Sequence, residues 1–267
     1  DKMPEMISIH PVFYLKGYNF LLEALALIKY PSKFKNRLNN LINVVESKTF
    51  PKNQNLNALI FIYKYNNLFN LFILEGEFKE SIKIIPEVLD GIEKNKNFID
   101  HHHIMLLYYK IACMYFTVAD FDNSIKYLGI IMKNKNIKMR EDLQCFTRIL
   151  NLIAHWEAGY DYNLDKIIRE TYNYLDRMND LHEVQKTILK NLNGLENIYP
   201  GEIKGFLRNL HKELKKYEDD PYEKRAFLYL DIISWLESKI SSDPLQNIIK
   251  RKSLLINRKE KRSINLS

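Results

Sequence analysis

Residues 111–128 read IACMYFTVADFDNSIKYL, and residues 68–85 read LFNLFILEGEFKESIKII. Laid over one another, both keep apolar residues at helical spacing up to a short turn and then resume helical spacing beyond it. The turns are Ala119-Asp120-Phe121 and Gly76-Glu77-Phe78, each followed by a small residue, Ser124 or Ser81, and a large one, Leu128 or Ile85. Ahead of the turn stand Ile111-Ala112 and Tyr115 in one stretch, Leu68 and Phe72 in the other. Ala112, Ser81 and Ser124 suit points where two helices cross closely, because a small side chain lets the backbones approach.

Working outward, prolines and capping residues cut the chain into amphipathic segments. The first carries Leu21, Leu22, Leu25 and Ile28 and ends at Tyr30-Pro31, since the residue before proline avoids the helical region. Ser32 is placed to cap the second, with Phe34, Leu38, Leu41, Ile42 and Val45, and a third runs from Pro51 to Glu75-Gly76. Further helices are expected at about 78–95, 100–118, 121–134, 139–158, 162–179, 181–195, 201–217 and 222–240. Pro86 and Gly91 fall inside the fourth, where a kink or break is expected. No period-2 segment is long enough to read as a strand. Connections fall at Ser32, Gly76, Ala119, Gly159 and about Tyr199, so the spacings are 44, 43, 40 and about 40 residues. The expected fold is therefore all-α, a solenoid of antiparallel helical hairpins that bury their apolar faces on one another.

The turn and its flanks resemble the tetratricopeptide repeat. That pattern has large then small residues midway along helix A, an aromatic a turn later, a small-Asp-aromatic turn and a small residue early in helix B. The likeness covers about 15–240, by motif in two units and by spacing in the others. The interval exceeds the family's usual 34 or so and is similar to that of long-repeat tetratricopeptide proteins that act as bacterial signalling regulators. The resemblance implies a right-handed superhelix, protein or peptide binding on a concave face lined by the A helices, and no intrinsic chemistry. The expected organisation is an N-terminal extension (1–14), the repeat domain (15–240) and a capping helix with a basic tail (241–267).

Composition narrows the alternatives. The 8 Gly and 8 Pro among 267 residues are too few for turn-rich β architectures or disorder, and no apolar run is long enough for a membrane span. Two cysteines, Cys113 and Cys145, do not make a disulfide framework, which points to a reducing cytoplasm. The opening Asp1-Lys2-Met3-Pro4 lacks a signal-peptide pattern and reads as part of a longer protein. The net charge of +7 is concentrated after residue 244, where Lys250, Arg251, Lys252, Arg258, Lys259, Lys261 and Arg262 meet only Glu260. The preceding 244 residues hold 33 basic and 32 acidic groups, so a nucleic acid or acidic partner would have to be held by the tail.

Catalytic and metal chemistry find few residues to use. His101, His102 and His103 point about 100° apart on a helix and cannot share one metal, so they read as a polar first turn capped by Asp100. His155 and His182 each neighbour a carboxylate without forming a zinc motif, and His182 reads as a helix start. Cys113 and Cys145 sit among apolar neighbours, as structural cysteines do. Nucleotide, hydrolase and redox motifs are lacking, and no cofactor or metal is expected. Tyr63, Phe69, Phe72, Tyr108, Tyr115 and Phe116 keep helical spacing, which suits packing rather than base stacking.

Candidate binding residues come from separating helix faces. In 139–158, Leu143, Phe146, Leu150 and Ala154 occupy one side, while Gln144, Arg148, Asn151 and His155 recur on another. Asn66, Asn70 and Tyr109 occupy corresponding A-helix positions. The resemblance supports Asn66 and Asn70 as ligand-binding amides; Tyr109 and Cys113 depart from that pattern. Arg148 leads the set, because a guanidinium grips a carboxylate through two hydrogen bonds. The tail mixes Leu245, Ile248, Ile249, Leu254, Leu255 and Ile256 with its cations, so 245 to about 256 is expected to form a helix that covers the last hairpin, with 258–267 frayed.

Overall fold

A computed structural model describes residues 7, 9–134, 141–178, 181–195, 198–199, 201–223, 227 and 231–264, and the side chains of 161, 192–195 and 259–264 fall outside that description. The tail residues Lys259, Glu260, Lys261 and Arg262 belong to this last group. The described elements are all helical: α1 (Pro11–Leu27), α2 (Pro31–Glu46), α3 (Gln54–Glu75), α4 (Phe78–Asn95), α5 (His101–Thr117), α6 (Phe121–Lys133), α7 (Glu141–Glu157), a 3-10 turn (Asp161–Asn163), α8 (Leu164–Asp176), α9 (Glu183–Leu195), α10 (Ile203–Lys215), α11 (Ile232–Ser241) and α12 (Leu245–Ile264). Among the described residues no strand occurs.

Two compact units share these helices: Asp1–Lys110 with Ile249–Ser267, and Ile111–Ile248. In the first, α1 packs on α2 and α3, α2 on α3, and α3 on α4. In the second, consecutive helices from α6 to α11 pack in series.

One backbone device closes four of the hairpins. Lys29, Gly76, Ala119 and Gly159 adopt φ of 52°, 71°, 63° and 71°, the left-handed conformation that turns a chain out of a helix. At each, the residue's own N–H reaches back three positions and the next N–H reaches back five: Lys29 to Ala26 (3.0 Å) and Tyr30 to Leu25 (3.0 Å), Gly76 to Ile73 (3.3 Å) and Glu77 to Phe72 (3.0 Å). Ala119 to Phe116 (3.1 Å) and Asp120 to Tyr115 (2.9 Å), then Gly159 to Trp156 (3.1 Å) and Tyr160 to His155 (3.1 Å), repeat the pattern. These bonds satisfy carbonyls that the helix end would otherwise strand. The first closure thus lies at Lys29, three residues before Ser32, and the expected closure near Tyr199 falls partly outside the described residues.

Counting from these closures exposes a common packing code. Nine residues beyond them stand Leu38, Ile85, Leu128 and Ile168, and twelve beyond stand Leu41, Val88, Ile131 and Thr171, none more than 5% exposed. Seven residues before them stand Leu22, Phe69, Ala112 and Leu152, again at most 5% exposed. Ser81 and Ser124 are fully buried five residues beyond theirs. Each hairpin therefore presents the same inward columns from the same turn.

Several boundaries differ from expectation. Helix α1 starts at Pro11, inside the expected extension, because proline fits the first helical position. No side-chain cap opens α2, and Tyr30 holds the N-cap position. Asn53 accepts the Leu56 N–H at 2.9 Å and starts α3. Helix α4 runs through Pro86 without a break. Ile85, Val88 and Ile92 are buried around the proline, and the Tyr65 hydroxyl donates to Glu87, so tertiary contacts outweigh the lost backbone bond. At Gly91 an added Cβ would stand 2.0 Å from the Phe61 ring, which explains the glycine as a close α3–α4 contact. The helix expected over 222–240 is interrupted at Asp231, which accepts the Ser234 N–H at 3.0 Å and caps α11, while 224–226 and 228–230 lie outside the described residues. Helix α12 continues well past 256. It lies against the α3–α4 closure, with Ser253 Oγ donating to the Leu74 carbonyl at 2.6 Å and Lys250 3.1 Å from Glu77. A Cβ on Gly76 would come within 2.9 Å of Lys250 Cα, so that glycine serves both the turn and the crossing.

Candidate functional site

In the first unit the polar residues of α3 tie helices together. Asn67, fully buried, donates from Nδ2 to Asn19 Oδ1 (2.8 Å) on α1 and to the Tyr63 carbonyl (2.8 Å). Asn19 in turn donates to Glu23 at 2.8 Å. Asn70 accepts a hydrogen bond from Lys110 on α5 and keeps part of its surface in solvent. Asn66 is 7% exposed, and its Oδ1 has no hydrogen-bond partner. Tyr109 is 1% exposed and belongs to the packed interior. Of the expected residues here, Asn70 is thus the accessible amide. Sequence reading missed Lys110 and the Asn19–Asn67 bond, because partners 40 and 48 residues apart leave no local trace.

In the second unit Arg148 of α7 is half-buried and lies with its guanidinium carbon 3.7 Å from the centre of the Tyr174 ring on α8. Its Nη1 donates to Gln144 Oε1 at 2.5 Å, while Gln144 Nε2 donates to the Ile131 carbonyl of α6 at 3.2 Å. Among the described residues no carboxylate bonds the guanidinium. Burial lowers the Arg148 pKa, opposed by the nearby Tyr174, Cys145 and Glu170, and an arginine so placed remains cationic. Asn151, one turn on, is 6% exposed with an unpartnered Oδ1, and its carbonyl lies 2.8 Å from His155 Nδ1. Arg148 and His155 therefore stay partly open to solvent, whereas Gln144 and Asn151 are held inside the packing. The polar stripe is not a continuous open row, because α6 and α8 pack against both sides of α7. Tyr174 was missed by sequence reading; an aromatic at i+26 has no periodic link to Arg148.

Other candidates resolve into structure. His103 N–H and Nδ1 lie 3.0 and 2.7 Å from the two Asp100 oxygens, so Asp100 caps α5. Burial opposes the charge on Asp100, but the His103 backbone and ring bonds outweigh it and lower the pKa. His182 opens α9, its N–H donating to Gln185 Oε1 at 3.0 Å. Burial pushes the Cys145 thiol up to about 12, which leaves it protonated and unreactive near neutral pH. Among the described residues no group of three His, Cys, Asp or Glu is arranged to hold a metal ion, and no helix is long and apolar enough to cross a membrane. At the end of α7, Glu157 accepts from Trp235 Nε1 (2.6 Å) and Lys239 Nζ (2.7 Å) of α11, with Trp156 set edge-on to Trp235 at 5.7 Å.

The fold and its polar positions define an all-α protein of recurring helical hairpins. No family model, curated protein or solved structure matches the chain.

Proposed function

We propose that this chain is a tetratricopeptide-like protein, a right-handed stack of hairpins that works as a non-catalytic scaffold or sensor for a protein or peptide. The observation that carries the reading is the four-fold recurrence of one closure with the same buried columns counted from it. Short repeated hairpins lend their A helices to partner binding because the B helices and neighbouring units take up the apolar faces. Within the second unit, Arg148 is the residue best suited to a ligand. Its guanidinium is oriented by Gln144 and Tyr174 yet has no bonded carboxylate among the described residues, so an acidic side chain or chain terminus of a peptide supplies what it lacks.

A peptide array with free and amidated C-termini, probed with the full chain, tests this. Carboxylate-bearing peptides are expected to bind, and Arg148→Ala should weaken them about ten-fold or more. Arg148→Lys should not restore binding, because an ammonium lacks the planar fork. Equal binding by the variant and wild type, with folding intact by circular dichroism, overturns the role of Arg148.

A further inference from the structure

Apolar side chains left in solvent gather on α1 and its ends. Ile9, Phe13, Phe20 and Ile28 are 64%, 71%, 66% and 61% exposed. Gly17 and Ala24 are exposed between them. The opposite side of the same helix, through Leu15, Tyr18, Leu22 and Leu25, is already buried in the first unit. Among the described residues nothing covers the outer face, and an added Cβ at Gly17 would meet no atom within 4 Å. Glycine weakens a helix interior, and no contact among the described residues offsets that cost at Gly17.

The order of residues on that face says what fits it. Phe13, Phe20 and half-buried Leu27 recur every seven residues, and so do the small residues Gly17 and Ala24. A column of large residues beside a column of small ones is self-complementary when two such helices run antiparallel. Residue pairs whose numbers add to 37 then meet: Phe20 over Gly17 and Phe13 over Ala24. The charges agree with that register. Lys16 and Glu23 are both exposed, also seven apart, on one flank of the stripe. In an antiparallel two-fold pair the same flank meets itself, so Lys16 of each copy faces Glu23 of the other. A parallel pair would set both charges against the small-residue flank.

We propose that the outer face of α1 is a self-association surface. Its occupant is α1 of a second copy, antiparallel about a two-fold axis near residues 18 and 19, with Phe20 and Phe13 seated on Gly17 and Ala24. A helix of 17 residues spans about 25 Å. One such crossing buries less than the roughly 800 Å² per partner of a standard interface, so the dimer is weak, with Kd on the order of 10 micromolar.

Sedimentation of the full chain from about 1 to about 200 micromolar reads this directly. A monomer–dimer equilibrium is expected. Phe20→Glu, which charges the stripe, and Gly17→Leu, which fills the gap, should each weaken association about ten-fold or more while circular dichroism stays unchanged. Lys16→Glu and Glu23→Lys alone should each weaken it, and the double exchange should recover most of the loss. A chain that stays monomeric throughout the range overturns the proposal. So does a dimer indifferent to Phe20→Glu and Gly17→Leu, or one that the double charge exchange fails to restore.

Discussion

Helices α1 and α7 each open a hairpin closed by the same left-handed turn, yet they meet opposite surroundings. Between Leu143 and Ala154, α7 buries every residue except half-buried Arg148, because α6 and α8 pack on it. Helix α1 buries one side against α2 and α3 and leaves Phe13 and Phe20 in solvent. The same seven-residue recurrence of aromatic and aliphatic residues therefore produces a core in one place and a surface in the other. Apolar periodicity says that a helix has a sticky face; the number of neighbouring helices says how many faces are covered.

The largest test of this difference is truncation of matched aromatics. Phe146→Ala, at 1% exposure in α7, should lower unfolding stability in urea by about 3 to 5 kcal/mol. Phe20→Ala in α1, at 66% exposure, should change it by less than about 0.5 kcal/mol at concentrations where the chain is monomeric. Similar losses at both sites would mean that the outer face of α1 is not free in solution.

A second test asks whether the end of α7 is held by α11. Glu157 is nearly buried and accepts bonds from Trp235 and Lys239, so Glu157→Ala should cost about 2 kcal/mol, whereas Lys16→Ala on the exposed face of α1 should cost little. Loss of the blue-shifted tryptophan emission would accompany the first change and not the second.

Closures offer a smaller effect of opposite sign. Ala119 and Lys29 hold a left-handed conformation that disfavours side chains, and glycine does the same work at 76 and 159. Ala119→Gly and Lys29→Gly should each raise stability by about 0.5 to 1 kcal/mol, read as a higher urea midpoint with an unchanged slope. A loss at either site would show that the left-handed closure is not the conformation populated there.

The smallest effect concerns pH. Asp100 has a folded-state pKa below its unfolded value, so its contribution to stability is complete above the unfolded pKa and is lost as pH falls through the folded one. Asp100→Asn should therefore reduce the stability lost on acidification between neutral pH and about pH 3, and should leave the acid response of the other helix starts unchanged. An identical acid profile for variant and wild type would remove Asp100 from the account.

Much of the fold was legible because helix starts and stops are local. Gly76, Gly159 and the Ala119-Asp120 turn carried their closures in two or three residues, and the 43- and 40-residue spacings followed. The first closure was misplaced by three residues because Tyr30-Pro31 announces a helix start without showing that Lys29 takes the left-handed turn. The helix expected over 222–240 was read as continuous for a related reason, since apolar spacing ran through an N-cap aspartate that only its bond to Ser234 identifies. The candidate site was less legible. Spacing grouped Gln144, Arg148, Asn151 and His155 on one helix face, but a helix face does not say which of its members a neighbour covers.

By itself the sequence determined an all-helical chain and the phase of its hairpins, because hydrogen bonds within a turn and the period of an α-helix depend on residues close in number. Tertiary structure alone decided the rest. It buried Asn66, Gln144 and Asn151, carried the helix through Pro86, laid α12 across Gly76, stacked Arg148 on Tyr174 and left the outer face of α1 open. Each of these depends on which helices lie beside one another, and contacts between residues 26 to 179 positions apart are set by the packing of whole helices rather than by any local pattern.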